Sequence, residues 1–298
     1  MTGRVVVVGS FMYDLIARVR RMPLPGETVV AAGTVQAPGG KGFNQAVAAR
    51  RAGAAVAMVG QLGDDPYADV FLRALAAEGI DASDVRRSPG EPTGLGLPVV
   101  DETTGENAIV VVPGANTRLD LAGRLPALRP GDLLVLQLEV PLATCVAAAA
   151  AARAAGARVL LNAAPAHPDT HRLAGLVDVL VANESEAADL VGRRDPAASA
   201  AALARAFGCG LVALTLGARG SVLWDGNGAT TVPAHPVECV DSVGAGDAYC
   251  GTLAAALVAG LPFAVAATRA AAAGALAVTR TGASTAMPTG ADVDALLV

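Results

Sequence analysis

The sequence predicts an α/β fold: an open, mostly parallel sheet with helices on both faces and a small β-sheet lid. Three observations carry this expectation. Short apolar runs alternate with longer alanine-rich stretches over most of the 298 residues, the pattern of strands buried on both faces and joined by crossover helices. Hydrophobic residues make up 53% of the chain and charged residues 16%, a composition that buries a large core rather than staying unfolded. Two segments break the alternation with short extended runs cut by Pro, Gly and Thr, and these supply the lid.

Taken in order, Arg4 precedes Val5-Val6-Val7-Val8 and then Gly9-Ser10. Four apolar residues are too few for a signal peptide and suit an opening buried strand. Further strands are expected at 56–59, 133–138, 159–161, 179–181 and 211–214, with helices at 45–51, 65–78, 142–155, 197–207 and 248–259. The lid pieces lie near 14–36 and 93–112, the second turning at 102–105. Trp224 followed by Asp225-Gly226 reads as a hairpin turn. Residues 248–268 carry no charge over 21 positions, enough by length for a membrane span. Gly260-Leu261-Pro262 interrupts them and alanine dominates, so two short buried helices meeting at a turn are expected instead. No repeat or linker divides the chain, so residues 1–298 are expected to form one domain.

The net charge is −5 and no basic run exceeds two arginines, which excludes a nucleic-acid footprint. Cys145, Cys209, Cys239 and Cys250 are scattered, without a Cys-x-x-Cys pair, and fit reduced thiols in the cytoplasm. His167 and His171 are four residues apart, but Pro165 and Pro168 disfavour the regular helix that would set both on one face, so no zinc site is expected there.

Two glycine clusters stand out. The first, Gly39-Gly40-Lys41-Gly42-Phe43-Asn44-Gln45, holds the only lysine of the chain; the other 21 of the 22 basic side chains are arginines. Glycines there let backbone approach a ligand closely, and a lone compact ammonium differs in kind from an arginine fork. The second, Asp241-Ser242-Val243-Gly244-Ala245-Gly246-Asp247, leads into an expected helix. Its small residues let successive N–H groups converge on an anion, with the helix dipole adding positive potential. Asp247 then stands where a carboxylate could take the proton of a hydroxyl attacking a phosphate, or alternatively cap the helix. Neither cluster is a standard nucleotide motif. Lys41 is followed by Gly42 and residue 35 is Val, so a Walker A loop fails; Tyr249 replaces the third glycine of a dinucleotide fingerprint.

Together these motifs, about two hundred residues apart, make the chain resemble the PfkB sugar-kinase family. The similarity runs nearly end to end, through Pro25-Gly26-Glu27-Thr28, Pro92-Thr93-Gly94, Gly114-Ala115-Asn116, Gln137-Leu138-Glu139, Asn183-Glu184-Ser185-Glu186, Thr215-Leu216-Gly217 and Thr279-Arg280-Thr281-Gly282. The resemblance implies ATP-dependent phosphorylation of the primary hydroxyl of a small sugar, D-ribose to ribose 5-phosphate foremost. A nucleoside, fructose or a keto-deoxy sugar acid are the alternative substrates, and a catalytically inactive sugar-binding regulator is the alternative of another class. It further implies that Asp14, Gly40, Lys41, Asn44 and Glu139 hold the sugar and that Asp247 is the general base. Asn183, Thr215, Gly217, Gly220, Gly244, Ala245 and Gly246 would contact ATP. Mg2+ would lie near Asn183 and Glu186, where the acidic residues also suit the first turn of a helix. A potassium ion would sit by Asp241, Val243, Ala277, Arg280 and Gly282. Ala286 stands where the family usually has Ser, which removes one oxygen ligand. Phe43 replaces a usual Ala, either as helix-start packing or narrowing the sugar site. The lid pieces of the family often pair between two subunits, which implies a homodimer.

Overall fold

Four consecutive valines form strand β1 (Val5–Val8), each fully buried because helices cover both faces of the sheet it belongs to. In the computed structural model, which describes residues 3–103, 107–121, 123 and 125–298, the chain leaves β1 for a separate small sheet. That sheet opens with β2 (Met12–Val19) and β3 (Gly33–Gly39). Helix α1 (Lys41–Arg51) returns to the large sheet at β4 (Val56–Leu62), followed by α2 (Pro66–Glu78) and β5 (Asp81–Arg87). The small sheet is completed by β6 (Gly94–Asp101) and β7 (Asn107–Val112). The turn expected at 102–105 lies partly outside the described residues, at 104 and 105.

The rest of the large sheet follows as β8 (Leu133–Leu136), α3 (Leu142–Ala154), β9 (Arg158–Asn162), β10 (Val179–Asn183), α4 (Glu184–Val191), α5 (Pro196–Phe207) and β11 (Leu211–Thr215). The hairpin β12 (Ser221–Trp224) and β13 (Ala229–Val232) closes one edge, turning at Asp225-Gly226 as the sequence predicts. Helices α6 (Ala245–Val258), α7 (Phe263–Ala277) and α8 (Gly290–Leu297) end the chain. The uncharged stretch is α6 and α7 meeting at Gly260-Leu261-Pro262, and no helix among the described residues is long and apolar enough to cross a membrane.

The large sheet runs β13-β12-β11-β10-β9-β8-β1-β4-β5, parallel from β5 to β11 and antiparallel in its last two pairings. The alternation of Val5 and Val7 with Val6 and Val8 feeds two separate cores, one on each face. From β1 the chain lays strands first toward β5 and later toward β13, so the order reverses between β1 and β8. The carboxyl ends of those strands are where an open α/β sheet leaves its ligand crevice. The small sheet, β3-β2-β6-β7, pairs β2 with β6 in parallel and its outer pairs antiparallel.

Helices α1 and α6 pack on the same face and bring the two glycine clusters together. Gly251 permits this: a Cβ there would lie 2.5 Å from Ala48 Cβ and 2.5 Å from the Gln45 carbonyl oxygen. Replacing a helical glycine by alanine gains about 1 kcal/mol of propensity, whereas overpacking costs about 1–3 kcal/mol. Backbone on the opposing side cannot step aside as a flexible side chain can, so the second effect wins. Gly251→Ala is expected to lower the denaturant midpoint and to slow turnover. An unchanged or raised midpoint would show that the helices separate without cost.

Candidate active site

Both glycine clusters are turns feeding a helix N-terminus. Gly40, at φ 91°, is the N-cap of α1, and a Cβ on it would lie 2.6 Å from Met12 N. The first turn is anchored to the end of β1 by a hydrogen bond from Phe43 N to Ser10 O, 3.0 Å. This anchor starts the helix at Lys41, four residues before the sequence reading placed it. Gly244, at φ 79°, is the left-handed N-cap of α6. The N–H groups of the following turn lack intrahelical acceptors, and a Cβ on Gly246 would meet nothing within 4 Å, so this turn opens onto free space.

Asp247 stands in that first turn of α6, but it does not cap its own helix. Its Oδ2 accepts from Asn44 Nδ2 at 2.9 Å and its Oδ1 from Gln45 Nε2 at 2.9 Å. Burial pushes the carboxyl pKa up; the Lys41 charge and the Gln45 and Asn44 donors pull it back, and Glu139 adds to the rise. The Oδ1 of Asn44 is buried and has no partner, an acceptor held ready beside the carboxylate.

Lys41 is the cation of the site. Burial works against its charge, but Asp247, Glu139 and Glu186 outweigh that and hold its pKa above the ordinary lysine value. Glu139, following β8, is fixed by two donors to one oxygen, Ser10 Oγ at 2.5 Å and the Lys41 backbone N–H at 2.9 Å. Asp14 on β2 lies between two glycines: a Cβ on Gly39 would be 2.6 Å from Asp14 Oδ2, and one on Gly96 would be 2.1 Å from Oδ1. Burial, with Glu139 nearby, raises the Asp14 pKa to about 6.

Asn183 and Glu186 form a capping box on α4. Asn183 Oδ1 accepts from Glu186 N at 2.9 Å, and Asn183 N donates to Glu186 Oε2 at 2.8 Å. Burial, above all, raises the Glu186 pKa. The Thr215 hydroxyl donates to Ala182 O at 3.4 Å. Gly217 and Gly220 shape the next turn; a Cβ on Gly220 would lie 2.1 Å from Val232 O, which makes its role one of backbone clearance.

Lys41, Asn162, Asn183, Glu186, Thr215, Gly244, Gly246 and Asp247 line one cavity of about 240 Å³. Asp14, Gly40, Asn44 and Glu139 do not line it; Asn44 and Glu139 join it through their hydrogen bonds to Asp247 and to the Lys41 backbone. Gly217, Gly220 and Ala245 also lie outside its lining. Below α6, two loops are tied by Asp241, whose Oδ1 accepts from Val243 N at 3.0 Å and whose Oδ2 accepts from Gly282 N at 2.9 Å. Ala277 is buried, while Arg280 turns outward to Asp292 at 3.7 Å. Phe43 packs in the core against Phe11 and Phe71, with centroids 6.1 and 5.1 Å away, so it is helix-start packing and does not narrow the site.

Sequence reasoning passed over Ser10, Gln45, Gln137 and Asn162 as individual actors. All four are polar and at least nine-tenths buried. For Ser10, Gln137 and Asn162 the signal available was a polar residue at the carboxyl end of an apolar strand; Gln45, on α1, carried no such local signal.

Residues 2–290 match the pfkB family carbohydrate kinase pattern, and the chain belongs to that family. It is 34% identical over 307 residues to the ribokinase of Schizosaccharomyces pombe, covering 97% of this chain and 96% of that one. It is 36% identical over 263 residues to the bifunctional ribokinase/ribose-5-phosphate isomerase A of Fructilactobacillus sanfranciscensis, covering 85% of this chain but only 48% of that longer protein. The solved structure of Arabidopsis thaliana ribokinase complexed with ribose and ATP superposes with a TM-score of 0.88 at 30% identity, over 100% of this chain and 99% of that one.

Proposed function

We propose that the chain is an ATP-dependent sugar kinase that transfers the γ-phosphoryl group to the primary hydroxyl of D-ribose, giving ribose 5-phosphate and ADP. The observation that carries this reading is Asp247, buried at the mouth of α6 with both oxygens held by amide donors and Lys41 facing it. Its remaining lone pairs are free to take the hydroxyl proton. Asp14, Gly40, Lys41, Asn44 and Glu139 hold the sugar, offering acceptors and donors to adjacent hydroxyls. The turn at Gly244, Ala245 and Gly246 receives the transferred phosphoryl on its N–H groups. A cavity of about 240 Å³ suits the reacting phosphates, and it is smaller than a site enclosing a whole drug-sized ligand, about 300–1,000 Å³. The nucleoside therefore extends from it, past Asn183 and Thr215 at its wall toward Gly217 and Gly220.

Among the described residues no group of three or more His, Cys, Asp or Glu could hold a metal ion. Mg2+ fits here as a hydrated ion brought by the nucleotide, with Asn183 and Glu186 reached through water. When bound it would offset phosphate charge. A potassium ion fits between the loops of Asp241, Val243, Ala277, Arg280 and Gly282 through backbone carbonyls, since the Asp241 carboxylate is already occupied. The four cysteines are free thiols, which supports a cytoplasmic location. A second copy of the chain is the fitting partner for β7, where Ile109, Val110 and Val111 are each more than half exposed. A homodimer in sedimentation is the expected result, and a monomer at all concentrations removes that element of the reading.

Release of ADP over a panel of ribose, 2-deoxyribose, fructose, a keto-deoxy sugar acid and nucleosides tests the assignment. A clear preference for ribose is expected; comparable rates on unrelated sugars would overturn it. Asp14 gives an additional signature. It is ionised above about pH 6 and protonated below, so the site loses an acceptor charge as pH falls. The value of kcat/KM for ribose, which reports the free enzyme, is expected to fall more steeply below about pH 6, and in Asp14→Asn only the limb of the Asp247 base should remain.

A further inference from the structure

We propose that Gln45 is the positioning residue for the Asp247 carboxylate, held in one orientation by Gln137 and by the space left at Gly9. The proposal rests on Asp247 being the general base. Gln45 is fully buried on α1 and its amide is used at every point: Nε2 donates to Asp247 Oδ1 at 2.9 Å and to Asn162 Oδ1 at 3.0 Å. Its Oε1 accepts from Gln137 Nε2 at 2.7 Å. Reversing the Gln45 amide would set its oxygen against two oxygens and its N–H groups against those of Gln137. The amide therefore has one polarity, and it presents Asp247 with a donor at all times.

Gln137, also fully buried, ends the relay with an Oε1 that has no partner. That orphan lies over Gly9, where a Cβ would come within 2.1 Å of it. The fold accepts an unsatisfied acceptor, ordinarily a cost, and keeps a bare glycine beneath it. Both features orient an amide that touches Gln45 and nothing in the cavity. The three amides come from α1, from the strand end after β8 and from β9, so the relay ties the base on α6 to the large sheet. Asn44 holds the other carboxylate oxygen, but the proposed function also assigns its free Oδ1 to a sugar hydroxyl. Gln45, to which the proposed function assigns no contact with the sugar, bonds only Asp247 and its two amide partners.

The groups facing Asp247 from the elements around it are Lys41 on α1, Glu139 after β8, Glu186 on α4 and Cys250 on α6. Gln45 is neutral, and removing its donor leaves all four in place while favouring the protonated base. The test is kcat against pH at saturating ribose and ATP. For Gln45→Met we expect kcat to fall about 10- to 100-fold and its acid limb to move up by about one pH unit. The KM for ribose should stay within about twofold, because Gln45 touches no substrate. In an Asp247→Asn background the same change should cost nothing more. A lowered kcat with an unmoved acid limb, or an equal loss in both backgrounds, overturns the proposal. Should Gln45→Met fail to fold, Gln137→Met carries the test: a smaller shift in the same direction supports the relay, and no shift overturns it. Full turnover in Asp247→Asn alone would instead sink the base assignment itself.

Discussion

Asp247→Asn is expected to lower turnover by about 10²–10⁴ while ribose still binds, because it removes the proposed general base. The substitution is less conservative here than it looks. Both carboxylate oxygens accept from amide N–H groups, one from Asn44 and one from Gln45. An asparagine can accept from only one of them and points its own NH2 at the other. Leaving a buried donor unpaired costs about 1–3 kcal/mol, so a lower melting temperature is expected alongside the kinetic loss. Calorimetric titration with ribose and steady-state ADP release separate the two effects. Turnover near that of the unmodified chain would end the role assigned to Asp247.

Lys41→Met is expected to reduce kcat/KM for ATP by about 10²–10³, the scale of losing one charge-stabilising donor at a reacting centre. Lys41 is the counter-charge to Asp247, Glu139 and Glu186. Without it, three carboxyl groups face an arriving triphosphate with no basic side chain in the cavity lining to offset them, and part of the response is protonation of Asp247 itself. Lys41→Arg separates charge from shape. A planar guanidinium needs more width than an ammonium at the end of a flexible stem, so partial recovery is expected, through KM more than kcat. If methionine costs only a few-fold, the ammonium group has no part in phosphoryl transfer.

Apolar runs long enough to be buried on both faces announced β1, β4 and β8 to β11, since nothing but a covered parallel strand accepts them. The sequence Asp81–Arg87 forms β5 although most of its residues are polar, because an edge strand is stabilised by one neighbour and needs less apolar surface. Helix α1 begins inside the glycine cluster because Gly40 adopts a positive φ and Ser10 anchors Phe43; a local reading sees only a flexible turn there. Helix α7 was legible for its first few residues only, as alanine on every side leaves no amphipathic period to follow. In the site, the two motifs pointed to Lys41 and Asp247 because glycine spacing is local information. The Gln45 contacts to Gln137 and Asn162 span 92 and 117 residues, and no periodicity encodes them.

The solitary lysine has a practical consequence. A protease that cuts only after lysine finds one peptide bond in this chain, between Lys41 and Gly42, at the opening of α1. In the folded protein that bond is shielded by the strand end it packs on, with the Gly42 Cα close under Gly9. Cleavage requires the first turn of the helix to unwind, so the cutting rate counts how often the half of the site proposed to hold the sugar comes apart. Two fragments of known length, 41 and 257 residues, would report local opening without any engineered probe. Protection by ribose or by nucleotide would then rank, separately for each, how firmly it closes that turn.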